Sequence, residues 1–230
     1  MSRRKKAKLG IGIALLVSFF VVLVVFFMPI FGGQNGLDSL DNLYNSISKG
    51  SAYYIPKVKH LVEDRGSTVV TLNLTFTDTD TAEAVAPLFE TAGTKVAADG
   101  TALKVEGDLE GIFSACLADA DAAYHNRDDE LEARYGTSPR AVLFGWWTGL
   151  NAIERDLKRQ KLFAAADLTH TVQAKTVECA YNYHGIEPQS IKERWDIVLF
   201  SLIFYVVYTV WYGYAIMFIF EGLGFELTAH

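Results

Sequence analysis

Cysteine is nearly absent: Cys116 and Cys179 are the only two in the 230 residues, and neither belongs to a CxxC or CxxCH motif. This excludes a local thioredoxin-like redox pair and covalent haem attachment. GxSxG, a Walker loop, GxGxxG and HExxH are all missing, so no local motif marks a nucleophile, a phosphate cradle or a metalloprotease site. The histidines, His60, His125, His170, His184 and His230, lie outside both long apolar runs, which leaves this chain alone without a transmembrane bis-histidine haem. His170, Glu178, Cys179 and His184 are neighbours in sequence, but their spacing matches no compact metal motif. Asp78 and Asp80 lack the rest of a calcium loop and read as helix caps. Asp119 and Asp121, two apart on a predicted helix, diverge and make a poor acid/base pair. No catalytic residue, metal or other cofactor is expected.

Charge is missing from two long stretches. Residues 9–31 and 197–220 contain no Lys, Arg, Asp, Glu or His. At about 1.5 Å of rise per residue, each can cross a hydrocarbon core of roughly 30 Å. The expected organisation is a basic cytoplasmic tail at 1–8, a first transmembrane helix at 9–31, an extracytoplasmic domain at 32–196, a second transmembrane helix at 197–220, and a short cytoplasmic tail at 221–230. Arg3, Arg4, Lys5, Lys6 and Lys8 beside the first run favour the cytoplasmic side for the N-terminus. The first run exceeds the apolar core of a secretion signal, and its exit at 28–33 lacks a small-x-small cleavage site, so an uncleaved signal anchor is predicted. The result is a multi-pass protein of the cytoplasmic (inner) membrane with its main domain on the periplasmic side and tails too short for a signalling module.

The chain's formal charge is −6; removing the five basic residues of the first tail and Glu221 and Glu226 of the last leaves −9 on the segment between the runs. Such an acidic domain argues against nucleic acid as a ligand. Cys116 and Cys179 both fall in this segment, where they are either a disulfide stapling two helices or two separate thiols.

The domain reads as α+β. Leu37, Leu40, Tyr44 and Ile47 have helical spacing, and a second short helix runs from Pro56 to Arg65. Val70, Leu72, Leu74 and Phe76 alternate with polar residues, the period of a half-buried strand. A capped helix at 82–92, a hairpin turning at Asp99-Gly100 and an amphipathic helix from 108 to about 126 complete a small β-α-β-β-α sheet layer. Residues 141–161 and 162–183 then predict a C-terminal helical hairpin, with Leu143, Trp146, Trp147, Leu150, Ile153 and Leu157 on its apolar face and 158–161 as a solvated turn.

Two aromatic groups stand out. Trp146 and Trp147 are adjacent on a helix and point in different directions, so one faces the core and the other a neighbour or ligand. With Tyr181 and His184 they form a candidate partner or ligand surface, core packing being the alternative. In the second span Ser201, Tyr205, Tyr208 and Tyr212 recur as one stripe, with Thr209 beside it. Counting from Trp195, Tyr205 and Tyr208 lie roughly 15–20 Å deep, below an interfacial aromatic belt. Gly10, Ala14 and Ser18 in the first span form a small-xxx-small packing face. Phenol hydroxyls at that depth need partners, and the first span offers one side-chain hydroxyl, Ser18.

The topology is similar to that of polysaccharide co-polymerases, which also carry an α/β domain outside two terminal spans. Their proline-rich segment at the second span is not matched, since only Pro188 precedes it. That resemblance implies a homo-oligomeric regulator. The residues themselves predict a non-enzymatic accessory or scaffold subunit that lies in the lipid bilayer and docks other membrane-protein chains or copies of itself. The alternative is an outer ligand-binding or sensing domain that signals through a partner.

Overall fold

The computed structural model describes residues 2–225, so Glu226 and His230 of the predicted tail lie outside the described residues. The chain is mostly helical, with one small antiparallel sheet. In chain order the elements are α1 (Arg3–Phe27), α2 (Gly36–Ser51), α3 (Ile55–Arg65), β1 (Val69–Thr75), α4 (Thr79–Thr91), β2 (Lys95–Asp99), β3 (Ala102–Asp108), α5 (Leu109–Tyr124), α6 (Asp128–Tyr135), α7 (Pro139–Arg159), α8 (Phe163–Val172), a π turn (Gln173–Val177), α9 (Glu178–Tyr183) and α10 (Trp195–Leu223). They form two compact units: residues up to 48 together with those from 188 onward, and residues 49–187. The segment between the apolar runs therefore contributes to both.

In the first unit, α1 and α10 have 25 and 29 residues and are long and apolar enough to cross a membrane. They pack closely because two glycines remove side chains from the contact. A Cβ on Gly12 would lie 2.7 Å from the backbone nitrogen of Ile219, and one on Gly222 would lie 2.7 Å from Cα of Leu9. Phe19 stacks on Tyr208 with ring centroids 4.1 Å apart. Trp211 donates its indole N–H to the carbonyl of Leu15 at 3.1 Å, and Lys8 pairs with Glu221 at 2.6 Å. On the small-residue face of Gly10, Ala14 and Ser18, Gly10 and Ala14 are exposed rather than packed on α10, and the half-buried Ser18 turns its hydroxyl back to the Leu15 carbonyl at 2.9 Å. Most of α2 belongs to this unit, joined by Tyr44 to Ser201 at 2.6 Å and by the Gln189 N–H to the Ser46 carbonyl at 3.1 Å.

The second unit is built on the sheet, ordered β1-β3-β2. In β1 the alternation places Val70, Leu72 and Leu74 on the buried face, opposite Leu103 and Val105 of β3. Asp99 faces Ala102 across the turn, where Gly100 supplies the positive φ of 57°. Val85 and Phe89 of α4, Ile112 and Phe113 of α5, and Leu143, Leu150 and Ile153 of α7 fill the core against that face. The Asp78 carboxylate accepts the Thr81 N–H at 2.7 Å and caps α4. The helix expected from 108 to about 126 is α5, and Asn126, with a φ of 55°, turns the chain before α6.

The outer edge of β1 would be open to pairing with another chain, but the end of α7 closes it. Gln160 donates to the Thr71 carbonyl at 2.9 Å, Arg159 to the Asn73 carbonyl at 2.7 Å and Arg155 to the Thr75 carbonyl at 3.4 Å. Buried Asp156 accepts the Asn73 N–H at 3.0 Å, and Arg159 and Gln160 donate to the same carboxylate. Residues 158–161 are thus more than a solvated turn. Where the chain joins this unit, buried Lys49 donates to the Ile186 carbonyl and lies 5.0 Å from the centre of the Tyr124 ring. Tyr124 in turn donates to the Lys49 carbonyl. Burial holds the Lys49 amine below the usual lysine range.

Two outcomes follow from these contacts. Gly12→Leu should part α1 from α10, read as a longer and broader distance between spin labels at Lys6 and Leu223; an unchanged distance would contradict the close approach at Gly12. Asp156→Ala should cost about 1–3 kcal/mol, because it removes the acceptor of the part-buried Asn73 N–H bond and frees Arg159 and Gln160, measured as denaturant unfolding of the full chain in detergent.

Candidate functional site

The candidate surface begins from a buried carboxylate. Asp119, fully buried on α5, accepts the indole N–H of Trp146 at 2.8 Å and the Tyr135 hydroxyl at 2.6 Å, and Arg134 donates to its other oxygen. Three elements, α5, α6 and α7, therefore converge on one side chain. Burial pushes the Asp119 carboxyl above the usual aspartate range, opposed by the hydrogen bonds from Tyr135 and Trp146 and by the Arg134 charge. Asp121, two residues on, points the other way and pairs with Arg127 at 2.7 Å, while Tyr53 donates to it. Burial and that hydrogen bond push the Tyr53 phenol up to about 12.

With Trp146 fixed inward, Trp147 is turned about 100° around α7. It emerges beside Phe144, the two rings stacked with centroids 6.0 Å apart and planes 17° from parallel. Leu143 and Val177 floor a groove of about 300 Å³; Phe144 and Trp147 form one wall, Glu178, Tyr181 and Asn182 the other. The Trp147 indole donates to the Glu178 carboxylate at 2.9 Å across it. Arg140 lies over the Tyr181 ring, 5.7 Å from its centre. Phe144 is 57 % exposed, Trp147 38 % and Tyr181 40 %, so the aromatic walls are open.

The opposite wall depends on the π turn. There the Glu178 N–H reaches five residues back to the Gln173 carbonyl, and the extra residue rotates α9 relative to α8. The buried side-chain carbonyl of Gln173 has no partner among the described residues.

Of the four residues in the predicted surface, Trp147 and Tyr181 meet in this groove. Trp146 serves the core, and His184 lies apart, its Nε2 2.9 Å from Asp128. Phe144 and Glu178 were missed. Phe144 was readable as the i−3 neighbour of Trp147, whereas Glu178 depends on the π turn, for which no sequence signal exists. Cys116 and Cys179 are free thiols: the first is fully buried, which pushes its pKa up, and the second donates to the Ala52 carbonyl at 3.0 Å. No three His, Cys, Asp or Glu side chains converge on a metal position among the described residues. His170 instead lies 3.5 Å from Glu154.

The stripe on α10 is divided. Ser201 meets Tyr44, Tyr208 and Tyr212 pack on Phe19, and Tyr205 stands outward at 69 % exposure. The Thr209 hydroxyl bonds the Tyr205 carbonyl at 2.7 Å. The Tyr208 hydroxyl is buried without a partner among the described residues.

No known protein family matches the chain, and neither a curated protein nor a solved structure is detectably similar to it.

Asp119→Ala should destabilise the domain by about 1–3 kcal/mol for each donor it strands, the Trp146 indole and the Tyr135 hydroxyl, whereas Asp119→Asn keeps an acceptor and should cost less. The folded state holds the Asp119 proton more tightly than the unfolded chain does, so the ionised carboxylate costs stability above its folded pKa. That cost is relieved as the pH falls from 7 toward the ordinary aspartate range. Wild type should therefore gain stability relative to Asp119→Asn on acidification, measured as paired thermal unfolding across that window; a gap that shrinks instead would contradict the assignment.

Proposed function

We propose that this chain is a non-enzymatic accessory or scaffold subunit of a larger membrane-protein assembly, held in the inner membrane by α1 and α10 with its N-terminus in the cytoplasm. The reading rests on one observation. The Tyr208 hydroxyl, about mid-span, has no partner among the described residues, although the first span packs directly against its ring. Ser18, the one side-chain hydroxyl on that span, is spent on its own backbone. A polar group stranded in hydrocarbon is costly, and Tyr205 presents a second phenol on the open side of the same helix. Other chains, or further copies of this one, would supply a partner to the open Tyr205 and, by repacking the seam around it, an acceptor to the buried Tyr208 hydroxyl. The basic residues from Arg3 to Lys8 form the first turns of α1, continuous with its apolar run, which supports an uncleaved anchor with residues 32–196 on the outer side.

A second reading, an outer ligand-binding domain, is favoured by the open aromatic groove between α7 and α9.

The test of the first reading is the native mass of the detergent-extracted particle. Wild type should exceed the 25.5 kDa of one chain by fixed additional subunits, and the Tyr205→Phe/Tyr208→Phe double variant should shed them while unfolding at an unchanged temperature. A single-chain wild-type particle, or a double variant with its partners intact, would refute it.

A further inference from the structure

We infer that the groove between α7 and α9 binds an organic ammonium cation, of the quaternary class, through the aromatic faces of Phe144, Trp147 and Tyr181 and the carboxylate of Glu178. The inference deepens the ligand-binding reading of this groove and rests on it.

Four observations point to that ligand class. The walls carry three exposed aromatic rings, whose negative faces attract cations. Glu178 is the one charged group on the lining, and the Trp147 indole fixes it by occupying one oxygen at 2.9 Å, leaving the other available. Tyr181 already takes a guanidinium against its ring, that of Arg140 at 5.7 Å, so these rings hold positive charge within the chain itself. The segment between the apolar runs is also acidic overall, which concentrates cations around it.

The quaternary class follows from what the groove lacks. A primary ammonium carries three N–H donors and needs an acceptor for each. Here Leu143, Phe144, Val177 and most of Trp147 and Tyr181 offer only carbon, with Glu178 and Asn182 as the polar lining. A quaternary ammonium needs no hydrogen bonds; its methyl groups bury against the rings while its charge faces the carboxylate. A groove of about 300 Å³ also has room for such a head.

The π turn adds support. It begins at Gln173, whose buried side-chain oxygen has no partner among the described residues, a cost of the kind found where local geometry serves a site, and it immediately precedes Glu178 and Tyr181 on α9.

The test titrates choline into the full-length chain in a maltoside detergent, with 3,3-dimethylbutan-1-ol, the neutral isostere, as the comparison. Calorimetry supplies the constants. Choline should saturate, and bind about tenfold more tightly than the neutral alcohol, the difference a cation over aromatic faces commonly provides. Glu178→Gln, which keeps the acceptor for Trp147 and removes only the charge, should weaken choline about fivefold or more and leave the alcohol unchanged. Trp147→Leu should abolish choline binding. Equal binding of choline and alcohol would mean an apolar ligand groove, overturning the cation assignment while leaving the ligand-binding reading. Saturation by neither would overturn both. Repeating the titration in phosphatidylcholine nanodiscs separates the two sources of this head group: a lipid headgroup in the groove would suppress the choline signal there, and a free ligand would leave it intact.

Discussion

The second unit depends on the Asp119 carboxylate. A charge-bearing group in a close-packed interior is tolerated only when its lone pairs are met, and here the donors come from α6 and α7. Satisfying the carboxylate fixes the rotation of α7 about its own axis. Trp146 must point at Asp119, so Trp147 must point away from it, beside Phe144 and toward α9. The core requirement and the open aromatic wall are therefore two results of one constraint. The same rotation delivers Arg155, Asp156, Arg159 and Gln160 along the edge of β1, which explains why a sheet of only three strands presents no free edge on that side.

The first unit obeys a different balance. Its two long helices are apolar enough to cross a membrane, and in hydrocarbon, where apolar contact between helices is not rewarded, close approach and satisfied polar groups would decide the packing. Gly12 and Gly222 permit the approach, and Trp211 finds the Leu15 carbonyl. Tyr208 is the exception, stacked well and bonded to nothing in the described chain. In hydrocarbon a tyrosine there would be expensive unless a further component supplied an acceptor, and the proposed assembly is the reading that would meet this cost.

Much of the architecture was legible in the sequence where local signals agree with packing. The period of two at 70–76, the cap at Asp78 and the Asp99-Gly100 turn each correspond to an element within a residue or two, and the uncharged runs fall mostly within α1 and α10, although α1 begins six residues earlier and ends four earlier than its run. Trp146 and Trp147 divide between core and surface, as adjacent residues on a helix must. Illegible features were those decided by contacts distant in sequence. Gly12, rather than the regularly spaced Gly10, Ala14 and Ser18, makes the close contact, because the crossing geometry depends on where Ile219 falls. Arg159 and Gln160 look like an exposed turn until β1 is placed beside them. The π turn adds one residue to a helix with no compositional mark, and with it Glu178 swings into the groove.

The most direct measurement replaces Tyr205 with the photocrosslinking amino acid p-benzoylphenylalanine and irradiates intact membranes. The account predicts a covalent adduct between this position and a polypeptide, either another subunit or a second copy of the chain. Crosslinking to lipid alone, with no polypeptide adduct at Tyr205, would contradict it and leave a self-contained two-helix anchor.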